Sequence, residues 1–181
     1  VILMAVLAFA IFAMYLSVPL TPNFLIGVRG LSLSQIGLIF AIWALGNSLM
    51  AVLFSRAEPR KGFLLAQALV ILFALLIWKG TTMPVFALGF FLLGGFLAGR
   101  PMVMAQAREL VHVSQMGVMY GIMETISAIV FIVTPPLAGF LYERDPMLMY
   151  PLAIGLIVVS IVVSYFFMPQ KERVVVSRDV L

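Results

Sequence analysis

Arg100 and Glu124 are the two strongly ionisable side chains that fall well inside long apolar runs. A charge at the centre of a bilayer costs roughly 2.5–3.5 kcal/mol on insertion scales, so such residues pair, meet water or mark a functional path. Their depths agree. Arg100 lies eight to eleven residues before the end of its run, and Glu124 lies about ten residues into the next. At about 1.5 Å per residue both sit roughly 12–17 Å from one membrane face. Neighbouring antiparallel helices would bring them together. A buried ion pair that locks two helices and a pair that guards a substrate or proton site both fit, and neither excludes the other.

The surroundings add to the functional reading. Gly94, Gly95 and Gly99 precede Arg100, and Pro101 follows it. Proline removes a backbone donor and crowds the preceding turn. Irregular backbone at membrane depth is tolerated where it lines a cavity or is buried in protein. Helical spacing puts Gly117, Tyr120, Gly121, Ser127, Ala128 and Phe131 on the side of Glu124. Tyr15, Asn47 and Gln106 are further candidates for substrate or coupling contacts. Asn23, Trp43 and Gln67 are polar as well, and hydrogen bonds between packed helices account for any of these six. Met102, Met104, Met116, Met119 and Met123 cluster near the charged pair in sequence; methionine lines adaptable pockets and also fills core gaps.

Enzyme chemistry finds no support. The single histidine, His112, sits in a loop without a second ligand nearby, so neither an intramembrane serine protease nor a metal site is indicated. Asp145 and Asp179 lie in a loop and the tail, which argues against a metal-dependent transferase. No phosphate-binding glycine loop occurs, and no cofactor is implied.

The elements that hold these residues follow from composition. The chain of 181 residues is 64% hydrophobic and 10% charged. Soluble domains run about 45–50% apolar and about 25% charged. This is an all-α membrane protein in contact with membrane lipid. Its net charge of +4 resides in short loops between apolar runs, where basic residues set topology, so nucleic acid is not an expected partner. The absence of cysteine excludes disulfides. Val1 opens inside an apolar run without a basic leader, which reads as part of a longer chain rather than a secretory signal.

A span needs about 20 apolar residues, and six transmembrane helices are expected. They are Val1 to about Thr21, about Ser34 to Ser55, Gly62 to Trp78, Pro84 to about Leu110 interrupted by Pro101, Gln115 to Tyr142 bent by Pro135 and Pro136, and Met147 to Met168. Short connections make sequential helices antiparallel neighbours. Ser34 and Ser114 are the expected N-caps. Arg56, Arg60, Lys61, Arg108, Lys171, Arg173 and Arg178 fall on one side, against Arg29, Lys79 and Arg144 on the other. The basic excess predicts a multi-pass protein of the cell membrane with the tail, residues 170–181, in the cytoplasm.

One phrase occurs twice. SQIGLIFAIW, residues 34–43, returns as SQMGVMYGIM, residues 114–123. The first copy opens a span from outside and the second from inside, so a true repeat is inverted: residues 1–79 against residues 83–169, a 3+3 inverted repeat. Such symmetry marks secondary transporters. Two apolar helix starts with a common serine would give the same four identities. Both copies carry a small-xxx-small pair, Gly37 with Ala41 and Gly117 with Gly121, and Gly95 with Gly99 forms a third; such pairs let helices approach closely. The next residue differs, Ala44 against Glu124.

The segments YLSVPLTPNFL, GLSLSQIGLIFAIWALGNS, AVLFSRAEPRKG, GFFLLGGFLAGRP and TPPLAGFLYERD together resemble the major facilitator superfamily over about residues 5–170. The loop signature of the family's first half is roughly G-x-x-x-D-R-x-G-R-[RK]. Here Ala51 and Ser55 replace its Gly and Asp, while Arg56, Arg60 and Lys61 remain at altered spacing. This decay, the bend at PPLAGF and the expected cytoplasmic tail resemble the C-terminal six-helix half of a twelve-helix member. The resemblance implies secondary active transport of a small-molecule substrate by alternating access, with Arg100 facing the central cavity and Glu124 beside it. It also implies a gating role for the loop of Arg56, Arg60 and Lys61, and a missing N-terminal half or another membrane subunit as partner. The acid and its methionine-rich surroundings fit a proton-coupled exporter of small amphipathic molecules, and sugar or organic-anion transport fits equally, since Arg100 could hold an anion. The alternative is a non-transporting six-helix structural or assembly subunit of a larger membrane complex.

Overall fold

A computed structural model describes residues 2–108 and 112–167. The helices are α1 (Ile2–Tyr15), α2 (Thr21–Gly27), α3 (Leu33–Phe54), α4 (Pro59–Lys79), α5 (Met83–Arg108), α6 (Met116–Arg144) and α7 (Met149–Phe167). Among the described residues, α3 to α7 are each long and apolar enough to cross a membrane, and α1 is a shorter apolar helix. The tail of residues 170–181 and the expected end of the fourth span near Leu110 lie outside the described residues.

The first expected span is not one helix. α1 stops at Tyr15, and turns carry the chain to α2. Pro19 has no N–H to give a helix and restricts Val18 to non-helical backbone. Pro22 lies in the first turn of α2, where a missing donor costs nothing. Gly30, at φ 71°, then reverses the chain, and the N–H groups of Gly30 and Leu31 return to the carbonyls of Ile26 and Leu25. By contrast, α5 and α6 run on as helices through Pro101 and through Pro135 and Pro136.

The expected serine caps are also displaced. Ser32, not Ser34, caps α3. Its hydroxyl accepts from the Gln35 N–H at 3.3 Å, and the Gln35 side chain accepts from the Ser32 N–H at 2.8 Å. This reciprocal box satisfies two otherwise unpaired donors. Ser114 lies in a single 3-10 turn, Val113–Gln115, and α6 begins at Met116 without a side-chain cap.

Packing does not follow chain order. α3 packs on α5 rather than on α4, α5 on α4, α4 on α7, α7 on α1, and α1 on α6. The six long elements thus form an arc, α3–α5–α4–α7–α1–α6. Its shared core includes Ile11, Met14, Phe73, Ile77, Leu93 and Ile157. Between apolar helices in lipid, close van der Waals approach supplies much of the attraction. Glycines create that approach along α5. A Cβ on Gly94 would overlap the backbone of Gly46 and Asn47, and one on Gly46 would overlap the backbone of Phe91. On the α4 side, a Cβ on Gly95 would come within 2.6 Å of Leu69 Cδ1, and one on Gly99 within 2.6 Å of Ala66 Cβ. The pairs in the repeated phrase behave differently. Gly37, Gly117 and Gly121 meet nothing in this chain and lie exposed on the outer helices of the arc.

Two arginines fasten helix ends. Arg29 donates to the Trp78 carbonyl at 2.6 Å and lies over the Phe24 ring at 5.3 Å. Arg60 donates to the Tyr165 carbonyl and lies over the Tyr165 ring at 4.7 Å. Both cations meet a helix C-terminus, where the aligned peptide dipoles favour positive charge. This corrects the proposed loop of Arg56, Arg60 and Lys61. α4 begins at Pro59, whose ring presets helical backbone, so Arg60 and Lys61 occupy its first turn and Arg56 alone is in the loop. Cations are unfavourable at a helix start. Lys61 is offset by Glu58 at 2.8 Å, and Arg60 is diverted to α7.

Two stability outcomes follow. Gly94→Ala should lower thermal stability by about 1–3 kcal/mol, as overpacking does. Gly155→Ala, with open space around it, should stay within about 0.5 kcal/mol. Arg60→Ala should lose about 1 kcal/mol through the end of α7, while Arg56→Ala is neutral. Thermal unfolding of the detergent-solubilised variants, followed by scanning fluorimetry, checks both.

Candidate functional site

Arg100 and Glu124 meet. Arg100 Nη2 donates to both carboxylate oxygens of Glu124, at 3.1 Å to Oε1 and 3.0 Å to Oε2. Each residue lies eight positions from the neighbouring end of its helix, which at about 1.5 Å per residue is about 12 Å. Apart from this pair, α5 and α6 touch little. The salt bridge therefore spans the gap between the inner glycine-packed helix and one end of the arc.

The pair is not sealed between helices. The Arg100 side chain is 26% exposed and that of Glu124 is 60% exposed. Within this chain the pair is therefore not enclosed. Two charges on an open face at this depth are costly against hydrocarbon, so the face belongs against water or protein.

An aromatic layer supports the guanidinium. Arg100 lies over the Phe131 ring at 5.4 Å. Tyr15 meets Phe131 edge-on at 4.7 Å between centroids and stacks with Phe96 at 6.0 Å. Tyr15 thus joins the site through Phe131. Such cation–aromatic contacts contribute about 0.5–1 kcal/mol where exposed and more where dry. The sequence reading overlooked Phe96, four residues before Arg100. Phe131 is seven residues after Glu124. Spacings of four and seven place side chains on one helix face, and this was the available signal.

Beside Arg100 lies a narrow cleft between α1, α4, α5 and α6, whose free space of about 10 Å³ admits about one water molecule. Met14, Met104 and Met123 line it with Leu7, Ile11 and Phe63. Arg100 and Ser127 are its polar wall residues, and the Ser127 hydroxyl donates to the Met123 carbonyl at 2.9 Å. Two of the five methionines singled out by sequence, Met104 and Met123, therefore do reach a cavity.

The remaining candidates are scattered. Tyr120 is exposed on α6 one turn before Glu124. Asn47 is half-buried at the α3–α5 crossing beside Gly94, and it makes no hydrogen bond to either charged residue. The Gln106 side chain lies outside the described residues. Asn23 is exposed on α2. Trp43 packs half-buried against the core. Gln67 donates to Ser164 Oγ at 3.3 Å, a hydrogen bond between α4 and α7.

Comparison with known proteins agrees with this architecture. A family model described as Major Facilitator Superfamily matches residues 3–179. No curated protein and no solved structure matches the chain. The helices and the family together make this a multi-pass, transporter-type membrane protein. The chain belongs to the major facilitator superfamily.

Proposed function

We propose that the chain is the C-terminal six-helix half of a twelve-helix secondary transporter, moving a small solute by alternating access with proton coupling at Glu124. The observation that carries this reading is the Arg100–Glu124 pair at mid-depth on an open face. Facing an aqueous cavity between two halves, the pair is hydrated from one side and supported by aromatic rings on the other.

The order of packing supports a 3+3 inverted repeat of residues 1–79 and 83–169. Exchanging the first three long helices with the last three turns the arc α3–α5–α4–α7–α1–α6 into its own reverse. The copies of the repeated phrase then occupy its two ends, α3 and α6. Their unpartnered small residues, Gly37 and Ala41 on one and Gly117 and Gly121 on the other, are suited to close contact with the missing N-terminal half. The basic excess at the Arg56 end supports a cytoplasmic tail in the cell membrane. Arg60 holds α7 in this reading, leaving Arg56 as the free gating cation.

Proton coupling has few groups to draw on. Besides the ion pair, the titratable groups around this face are Tyr15 on α1 and Tyr120 on α6. The test is solute-dependent proton flux of the full-length protein in proteoliposomes. Glu124→Gln should flatten the pH dependence of uptake. Arg100→Ala should slow uptake by about tenfold or more, the loss expected for one charge-assisted hydrogen bond. Normal uptake and a normal pH profile in both variants would refute the site assignment. Absence of any flux, with stoichiometric co-purification of other membrane subunits, would favour a structural subunit.

A further inference from the structure

We propose that the solute is an amphipathic monoanion, its charged group held by Arg100 and its apolar body seated in the methionine-lined cleft. This deepens the transporter reading and rests on it.

The first argument is the unused half of the guanidinium. An arginine carries five N–H donors. Both bonds to Glu124 leave from Nη2. Among the described residues, Nε and Nη1 of Arg100 have no partner, and neither is buried. The two other inward-tied arginines differ, since Nε of Arg29 and of Arg60 is buried and their cations are fixed on helix carbonyls. Arg100 alone among these three offers open donors at membrane depth. Planar guanidinium donors suit carboxylate and similar oxyanions.

The second argument is charge. Arg100 and Glu124 are the strongly ionisable residues at this depth in the described structure, and together they are neutral. One added negative charge is balanced when the Glu124 carboxylate takes up a proton or swings away. Glu124 is the more exposed partner. A dianion would bring a second negative charge that no neighbouring cation offsets. The groups facing the pair from the packed elements are Tyr15 on α1 through Phe131, Tyr120 on α6, and apolar Phe63 on α4. None of these supplies a second cation.

The third argument is the cleft. Its walls are aliphatic, aromatic and thioether, and its single hydroxyl, on Ser127, already donates to its own helix. A polyol would find too few partners there, and unpaired hydroxyls are costly to bury. The chemistry of that lining suits an alkyl or aryl body. The free space holds about one water, so the flexible methionines must repack to admit a guest.

The full-length protein in lipid nanodiscs provides the test, titrated by calorimetry with hexanoate, hexanol and hexylammonium. The three share a tail and differ in head group. Hexanoate should bind at least about tenfold more tightly than the other two, and Arg100→Ala should erase that preference. Arg100→Lys should keep part of it, which separates loss of charge from loss of fold. Glu124→Gln should tighten hexanoate binding several-fold, because the internal competitor has lost its charge. Equal binding of the three probes, or weaker hexanoate binding in Glu124→Gln, would overturn the proposal. Preferential hexanoate binding without solute-driven proton flux would uphold the anion site and reject the transport reading. Flux without any hexanoate preference would reject the anion site and leave transport standing.

Discussion

A full charge at membrane depth must be satisfied locally, and the bond between Arg100 and Glu124 is how this chain meets that demand. The pair links α5 to α6, which otherwise scarcely touch. It is held from one side by Phe131, Tyr15 and Phe96 and left open on the other. The aromatic rings back the guanidinium, and the carboxylate is exposed.

What fixes Arg100 in place is the packing of α5. This helix is clamped by backbone contact with α3 through Gly46 and Gly94, and by Gly95 and Gly99 against Leu69 and Ala66 of α4. The glycines serve as contact surfaces here, because lipid tails provide no hydrophobic drive to bring apolar helices together. The outer helices α3 and α6 keep comparable small residues unused within this chain. The inner helices are thus fastened to one another, with arginines closing the ends of α4 and α7.

Much of this was legible in the amino acids. Five spans follow from long apolar runs, two of them containing prolines, and the shared depth of Arg100 and Glu124 follows from residue counting. The break after Tyr15 was hidden because Ser17 and Pro19 sit inside a strongly apolar run, where composition outweighs punctuation. The cap at Ser32 was readable from SLSQ, whose first serine and glutamine have capping-box spacing, yet the second serine drew the assignment. Arg60 was placed in a loop because the cations masked Pro59 as a helix start. Partner choice was not legible. Protein-facing and lipid-facing surfaces are both apolar, so no contrast along the helix says that α3 prefers α5 to α4. The open side of the ion pair was hidden for the same reason.

The central claim is that the face carrying Glu124 meets water in the assembled protein. The chain contains no cysteine, so a single thiol can report on one position. Tyr120→Cys lies one turn from Glu124 on this face, and Val159→Cys lies on the exposed surface of α7. Labelling with a water-soluble maleimide in intact membranes compares the two. The account predicts reaction at position 120 and protection at position 159. Equal protection at both would place the ion pair against lipid or sealed protein and contradict it.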